Sequence, residues 1–185
     1  MNKIHPLRAF AAALLIAPTA GLAGGAHSGG HGHGEAAHGR PGKASAAART
    51  VEVVMHDNWF EPESIEVAPG ETIRFKVRNA GEFVHEFNIG TPAMHAAHQD
   101  EMQMMMDHGV LKGDSIDMKA AKAMQASMGH GMHDDPNSVL LAPGETGEVV
   151  WTFPEHMDGT IEFACNVPGH YGSGMVGEVE LKHGR

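Results

Sequence analysis

From Thr50 onward, apolar and polar residues alternate in short runs separated by turn signals. TVEVVM (Thr50 to Met55) opens the series with β-branched residues. ESIEVAPGETIRFKVRNAG places Ile65 and Val67 on one face, crosses a Pro-Gly turn and resumes with Ile73, Phe75 and Val77. A period of two is that of a strand with one face buried. EFVHEFNIG predicts a further strand, and SVLLAPGETGEVVWTF repeats the strand, Pro-Gly turn, strand device. GTIEFAC and GMVGEVELK complete a set of about eight short strands, which predicts an all-β fold built as an antiparallel β-sandwich.

One stretch breaks the period. Residues Thr91 to Asn137 form an insertion in which a helical pattern replaces alternation. TPAMHAAHQDEMQMMMDHG starts with Thr91 as an N-cap and Pro92 at the first helical position, and Gly109 is a stop signal. A second helix is expected from Asp114 through SIDMKAAKAMQASM, followed by the loop GHGMHDD. Nine of the 13 methionines lie in this insertion, together with five histidines.

The chain before Thr50 reads differently again. Met1 to Ala23 has Lys3 and Arg8 ahead of the apolar run AFAAALLIA and ends in small residues, the layout of a secretory signal peptide. The run is too short to span a bilayer. Gly24 to Arg49 is rich in glycine and histidine and almost free of large apolar residues, so a flexible tail is expected there. The organisation is therefore signal 1–23, tail 24–49, and one domain over 50–185 that carries the insertion 91–137. An exported, periplasmic protein is expected, with no membrane span in its mature form.

Charge and composition narrow the chemistry. Loss of Lys3 and Arg8 takes the formal charge from −10 to −12. Such a balance argues against nucleic acid and anionic membranes as partners, and it suits metal cations and a protein with a basic surface. One cysteine, Cys165, stands against 15 histidines. In an oxidising compartment a lone exposed thiol is oxidised or cross-linked, so Cys165 is either buried or bound.

CNVPGHYGSGM answers which. Cys165, His170 and Met175 offer a thiolate, an imidazole and a thioether from one strand-loop-strand segment. Soft sulfur ligands select copper, and two histidines, one cysteine and a weak axial methionine make an electron-transfer copper site. The second histidine has to come from elsewhere, and His85 in EFVHEFNI is the best placed. Singly, each residue also fits a core position. Zinc would call for more cysteine or histidine ligands, and a catalytic Cys-His pair would leave the methionine unexplained.

Without the insertion, Thr50 to Lys182 resembles the cupredoxin (plastocyanin/azurin-like) family. FEPESIEVAPGETIRFKVRNAGEFVHEF is similar to that family's run of Phe, Pro, strand, Gly turn, strand, Asn and ligand His, and CNVPGHYGSGM to the long ligand loop of rusticyanin-type members. The resemblance implies a Greek-key sandwich with His85, Cys165, His170 and Met175 as type 1 copper ligands. The insertion further resembles that of the periplasmic copper-tolerance cupredoxins of the CopI type. Many members follow the first ligand His with Asn or Ser, which ties the two ligand loops together, whereas this chain has Glu86.

The insertion has two readings. On a helix Met94, His98, Met102 and Met106 share one broad face, with His95, Met105 and His108 nearby. Methionine fills irregular gaps, so the face could pack on the sandwich. Thioethers and imidazoles also bind Cu(I), and His130, Met132 and His133 sit in a polar loop with no core to fill. A second copper site is the preferred expectation. The functional expectation is a periplasmic copper-tolerance protein whose copper cycles between Cu(I) and Cu(II), and whose partner is a redox or copper-handling protein. The alternatives are a dedicated electron shuttle, which needs no such insertion, and a cuprous oxidase.

Overall fold

A computed structural model of the chain describes residues 38–128 and 135–182. The expected signal peptide and the loop histidines His130 and His133 with Met132 lie outside the described residues. Among the described residues ten strands form two five-stranded sheets. In chain order the strands are β1 (Arg40–Pro41), β2 (Arg49–His56), β3 (Trp59–Glu61), β4 (Ser64–Val67), β5 (Thr72–Asn79), β6 (His85–Gly90), β7 (Ser138–Leu141), β8 (Thr146–Thr152), β9 (Glu162–Ala164) and β10 (Val176–Leu181). One sheet runs β1-β8-β5-β2-β3 and the other β4-β10-β9-β6-β7.

The expected alternation is present. Ile65 and Val67 in β4, and Ile73, Phe75 and Val77 in β5, all point into the core. Phe60, Phe75, Phe87, Phe153 and Phe163 fill its centre, and Phe60 meets Phe163 edge-on at 5.2 Å. Each fully buried Phe contributes about 1.5–3 kcal/mol of apolar transfer.

Three expectations are corrected. The sandwich is mixed rather than antiparallel, because β2 pairs with β5 and β4 with β10 in parallel. Each parallel partner is reached by a crossing between the sheets, which residue periodicity does not encode. The tail does not extend to Arg49. His38 is buried against Trp151 with rings 5.1 Å apart, the Trp151 indole N–H donates to the His38 carbonyl at 2.9 Å, and β1 pairs with β8. Backbone pairing, not apolar side chains, holds β1, so composition hid it. The second helix begins later than Asp114.

Among the described residues the insertion supplies two helices, α1 (Pro92–Asp107) and α2 (Met118–Met128). Thr91 Oγ1 accepts the Met94 N–H at the start of α1, as the sequence predicts. Asp117 accepts the N–H groups of Lys119 and Ala120, which places the start of α2 there. Helix α1 lies close along β6. A Cβ on Gly90 would stand 3.3 Å from the His95 ring and 3.5 Å from Met94 Cβ. All six residues of β6 are consequently buried, the polar Glu86 and Asn88 as well as Phe87 and Ile89. Among the described residues no helix is long and apolar enough to cross a membrane.

Candidate metal centre

Two separate segments converge at one end of the sandwich. His85 opens β6, and Cys165 follows β9 directly. The chain then turns through His170 and a short 3-10 helix (Tyr171–Ser173) before Met175 leads into β10. The turn is closed on itself. Cys165 N–H donates to the Met175 carbonyl, and Met175 N–H donates to the His170 carbonyl, both at 3.1 Å. The spacing of five and five residues is thus the length of one loop that leaves a strand and re-enters its neighbour.

Cys165 Sγ lies 3.3 Å from His170 Nδ1 and 3.8 Å from His85 Nδ1. The two imidazoles stand 4.9 Å apart between ring centres. Cys165, His85 and Met175 are fully buried, while His170 reaches partly to solvent. The structure brings the four sequence-predicted residues together at the site, three through donor atoms within 4.8 Å of one another and Met175 through its backbone bonds to Cys165 and His170. Burial pushes the Cys165 thiol up to about 12. Burial also lowers His85 and His170, so both imidazoles are neutral donors near neutral pH. Neutral imidazoles facing a buried sulfur fit copper, because a cation there supplies the charge that ionises the thiol.

The link expected of Asn or Ser after the first ligand is made here by a carboxylate. Glu86 Oε2 accepts the Asn166 backbone N–H at 3.2 Å and its side-chain N–H at 2.9 Å, while Glu86 N–H donates to Cys165 Sγ at 3.3 Å. The two ligand segments are therefore tied through the residues following His85 and Cys165. The carboxylate's other oxygen reaches the insertion, pairing with His98 Nε2 at 3.0 Å. His98 Nδ1 also meets Glu101 at 3.3 Å. Burial opposes the charge on His98, but the bonds to Glu101 and Glu86 prevail and raise it to about 10.

The insertion's soft residues do not converge in the same way. Met102 and Met105 are fully buried in the core, and Met106 packs partly against it. His95 is buried, accepts the Asn166 side-chain N–H at 3.1 Å and stacks near Tyr171 in the ligand loop. His108 is exposed, with its ring bonded to the Met104 carbonyl. Met94 and His98 face a hollow of about 460 Å³ that also reaches Glu101 and Asp135. Sequence reasoning missed Asp57, whose carboxylate lies 2.9 Å from His85 Nε2, and Asn166. A legible signal for Asp57 was the DN pair between the β-branched run TVEVVM and the aromatic pair Trp59–Phe60, which marks a tight turn.

Residues 48–182 match the copper-binding proteins of the plastocyanin/azurin family. The chain belongs to that family. Two relatives carrying the name "Copper-resistant cuproprotein CopI" are similar along most of their length. The one from Pseudomonas aeruginosa PAO1 is 45% identical over 160 residues, covering 81% of this chain and 84% of the relative. The one from Rubrivivax gelatinosus is 42% identical over 161 residues, covering 86% and 82%. Among solved cupredoxins, auracyanin B superposes with a TM-score of 0.52 at 22% identity over 79% of this chain and 97% of auracyanin B, a likeness of fold.

Proposed function

We propose that this cupredoxin is an exported copper-tolerance protein that holds one copper ion with His85, Cys165, His170 and Met175. The observation that carries this reading is the meeting of two imidazole Nδ1 atoms with one buried thiol in a closed loop. The "Copper-resistant" name of two relatives above 40% identity supports the tolerance role. Copper in such a donor set supplies one-electron chemistry between Cu(I) and Cu(II). The chain's own part is to hold the ligands in one arrangement through both states, which strand ends and a self-bonded loop do with little movement. The signal-like segment 1–23 supports a periplasmic location, and the acidic balance supports a basic redox or copper-handling partner.

The insertion adds a second, weaker reading for its outward residues only. His98, Glu101 and Asp135 bring donor atoms within 4.8 Å of one another, and Met94 lines the same hollow. Extra copper at this mouth would displace the proton that His98 holds between Glu86 and Glu101; His130, Met132 and His133 are assigned to the same role, and Met102 and Met105 to packing.

The decisive test is an absorption spectrum with copper stoichiometry on the mature protein. The Cu(II) form should show an intense visible sulfur-to-copper band at one copper per chain. Cys165→Ser should lose that band, and cells carrying it should tolerate copper less well. A Cys165→Ser protein of unchanged colour would overturn the assignment.

A further inference from the structure

The turn between β2 and β3 consists of Asp57 and Asn58, with His56 paired to Trp59 on either side. Asn58 takes a left-handed backbone at φ 74°, a conformation that asparagine tolerates better than most residues. This turn touches both halves of the copper centre. The Asn58 side chain donates to the Ser173 carbonyl in the ligand loop at 3.1 Å. Asp57 Oδ1 lies 2.9 Å from His85 Nε2, on the side of the ring opposite the Nδ1 that faces Cys165.

The carboxylate is seated, not merely adjacent. It accepts the Glu82 backbone N–H at 3.0 and 3.1 Å and the Phe83 N–H at 3.4 Å. The 80–84 loop that presents these groups is itself fixed by Asn79, which accepts the Gly81 N–H and donates to the carbonyls of Phe83 and Leu141. Room for the contact depends on Gly81. A Cβ there would lie 2.2 Å from Asp57 Oδ1 and 2.8 Å from His85 Nε2, inside the bond itself.

We propose that Asp57 is a positioning residue for the copper centre: its carboxylate fixes His85 as the Nε2–H tautomer, which turns the Nδ1 lone pair to the metal, and its charge favours Cu(II) over Cu(I). The proposal rests on His85 being a copper ligand. A backbone carbonyl would hold the same tautomer, but a carboxylate also makes the imidazole a more basic donor. Its side chain is 39% exposed, so solvent screens part of the charge and the effect is moderate.

Asp57→Asn and Asp57→Ala in the full mature chain separate the two parts. Asparagine can place Oδ1 in the same cradle of N–H groups and accept from His85, but carries no charge. It should lose about tenfold more Cu(II) affinity than Cu(I) affinity, which for one electron is a rise of about 59 mV in reduction potential. The alanine variant should lose 10–100-fold in copper affinity, the usual cost of losing such a partner. In the copper-free protein at mildly alkaline pH, nitrogen NMR should show the Nε2–H tautomer of His85 in wild type and Asp57→Asn, and a mixture in Asp57→Ala. A wild-type potential in Asp57→Asn overturns the charge effect, as does equal loss of affinity for both oxidation states. A pure Nε2–H tautomer in Asp57→Ala overturns the positioning role. Failure of the copper assignment itself would show separately, as a wild-type protein without the thiolate band, while the copper-free tautomer still decides what Asp57 does to His85.

Discussion

The ligand loop and helix α1 draw on the same residue types and use them in opposite ways. In the loop, His170 and Met175 follow Cys165 around a turn closed by its own backbone bonds, which brings the Cys165 sulfur to the Nδ1 atoms of His170 and His85. In α1, Met102 and Met105 enter the apolar core, and His95 and His98 are taken up by Asn166, Glu86 and Glu101. Soft donors make a metal centre where the backbone forces their convergence. Where a helix face meets a sheet, the same residues become packing and ion pairs. The two regions are nonetheless joined, because Glu86 touches both Asn166 and His98.

The largest effect should come from breaking that joint. Glu86→Ala leaves the Asn166 backbone N–H unanswered, takes one of the two partners of its side-chain amide, and removes one of the two carboxylates that hold the His98 charge. Breaking a buried pair on one side costs about 3–5 kcal/mol, which urea denaturation of the copper-free protein would measure. A loss near zero would mean that the insertion and the copper loop are held independently. Next comes Met102→Ala, expected to cost about 2–5 kcal/mol through the cavity it leaves. Met102→Leu should cost less than about 1.5 kcal/mol. Both should keep wild-type copper stoichiometry. Met175→Leu should keep copper and stability but raise the reduction potential, since the thioether that would serve as a weak copper donor is lost and the site becomes drier.

Much of this contrast was legible in the sequence. Strand alternation located eight of the ten strands, and the Cys-His-Met spacing located the loop. The cap at Thr91 and Pro92 located α1 to the residue. What stayed hidden has a common cause. Strands β1 and β3 are segments of two and three residues, too short to show a period. Helical spacing put Met94, His98, Met102 and Met106 on one face, whereas the residues of α1 that go inward are His95, Met102 and Met105, a choice set by where β6 lies. The partnership of Glu86 with Asn166 joins residues 80 apart in the chain, and no local pattern encodes it.

A smaller effect should appear as a pH dependence. His98 is raised from 6.5 to about 10 in the folded chain, against burial, by Glu101 and Glu86. A group raised on folding stabilises fully below its unfolded value and loses that contribution as pH rises through the folded one. Copper-free protein should therefore lose stability between about pH 7 and 10, and His98→Gln should flatten that slope. An equally steep slope in His98→Gln would assign it to other groups.

The smallest effect on stability, and the sharpest test of the contrast, belongs to Met94→Leu. Met94 is half-buried at the edge of the hollow shared with His98, Glu101 and Asp135, not in the core. Leucine there keeps apolar bulk, so stability should stay within about 0.5 kcal/mol of wild type. The visible band should be unchanged, because His85, Cys165, His170 and Met175 are not touched. The thioether is lost, however, and thioethers hold Cu(I) where carboxylates do not. Titration against a Cu(I) chelator should then show reduced Cu(I) capacity in Met94→Leu, while Met102→Leu retains it in full. Equal capacity in both variants would remove Met94 from copper binding and leave α1 as a packed support.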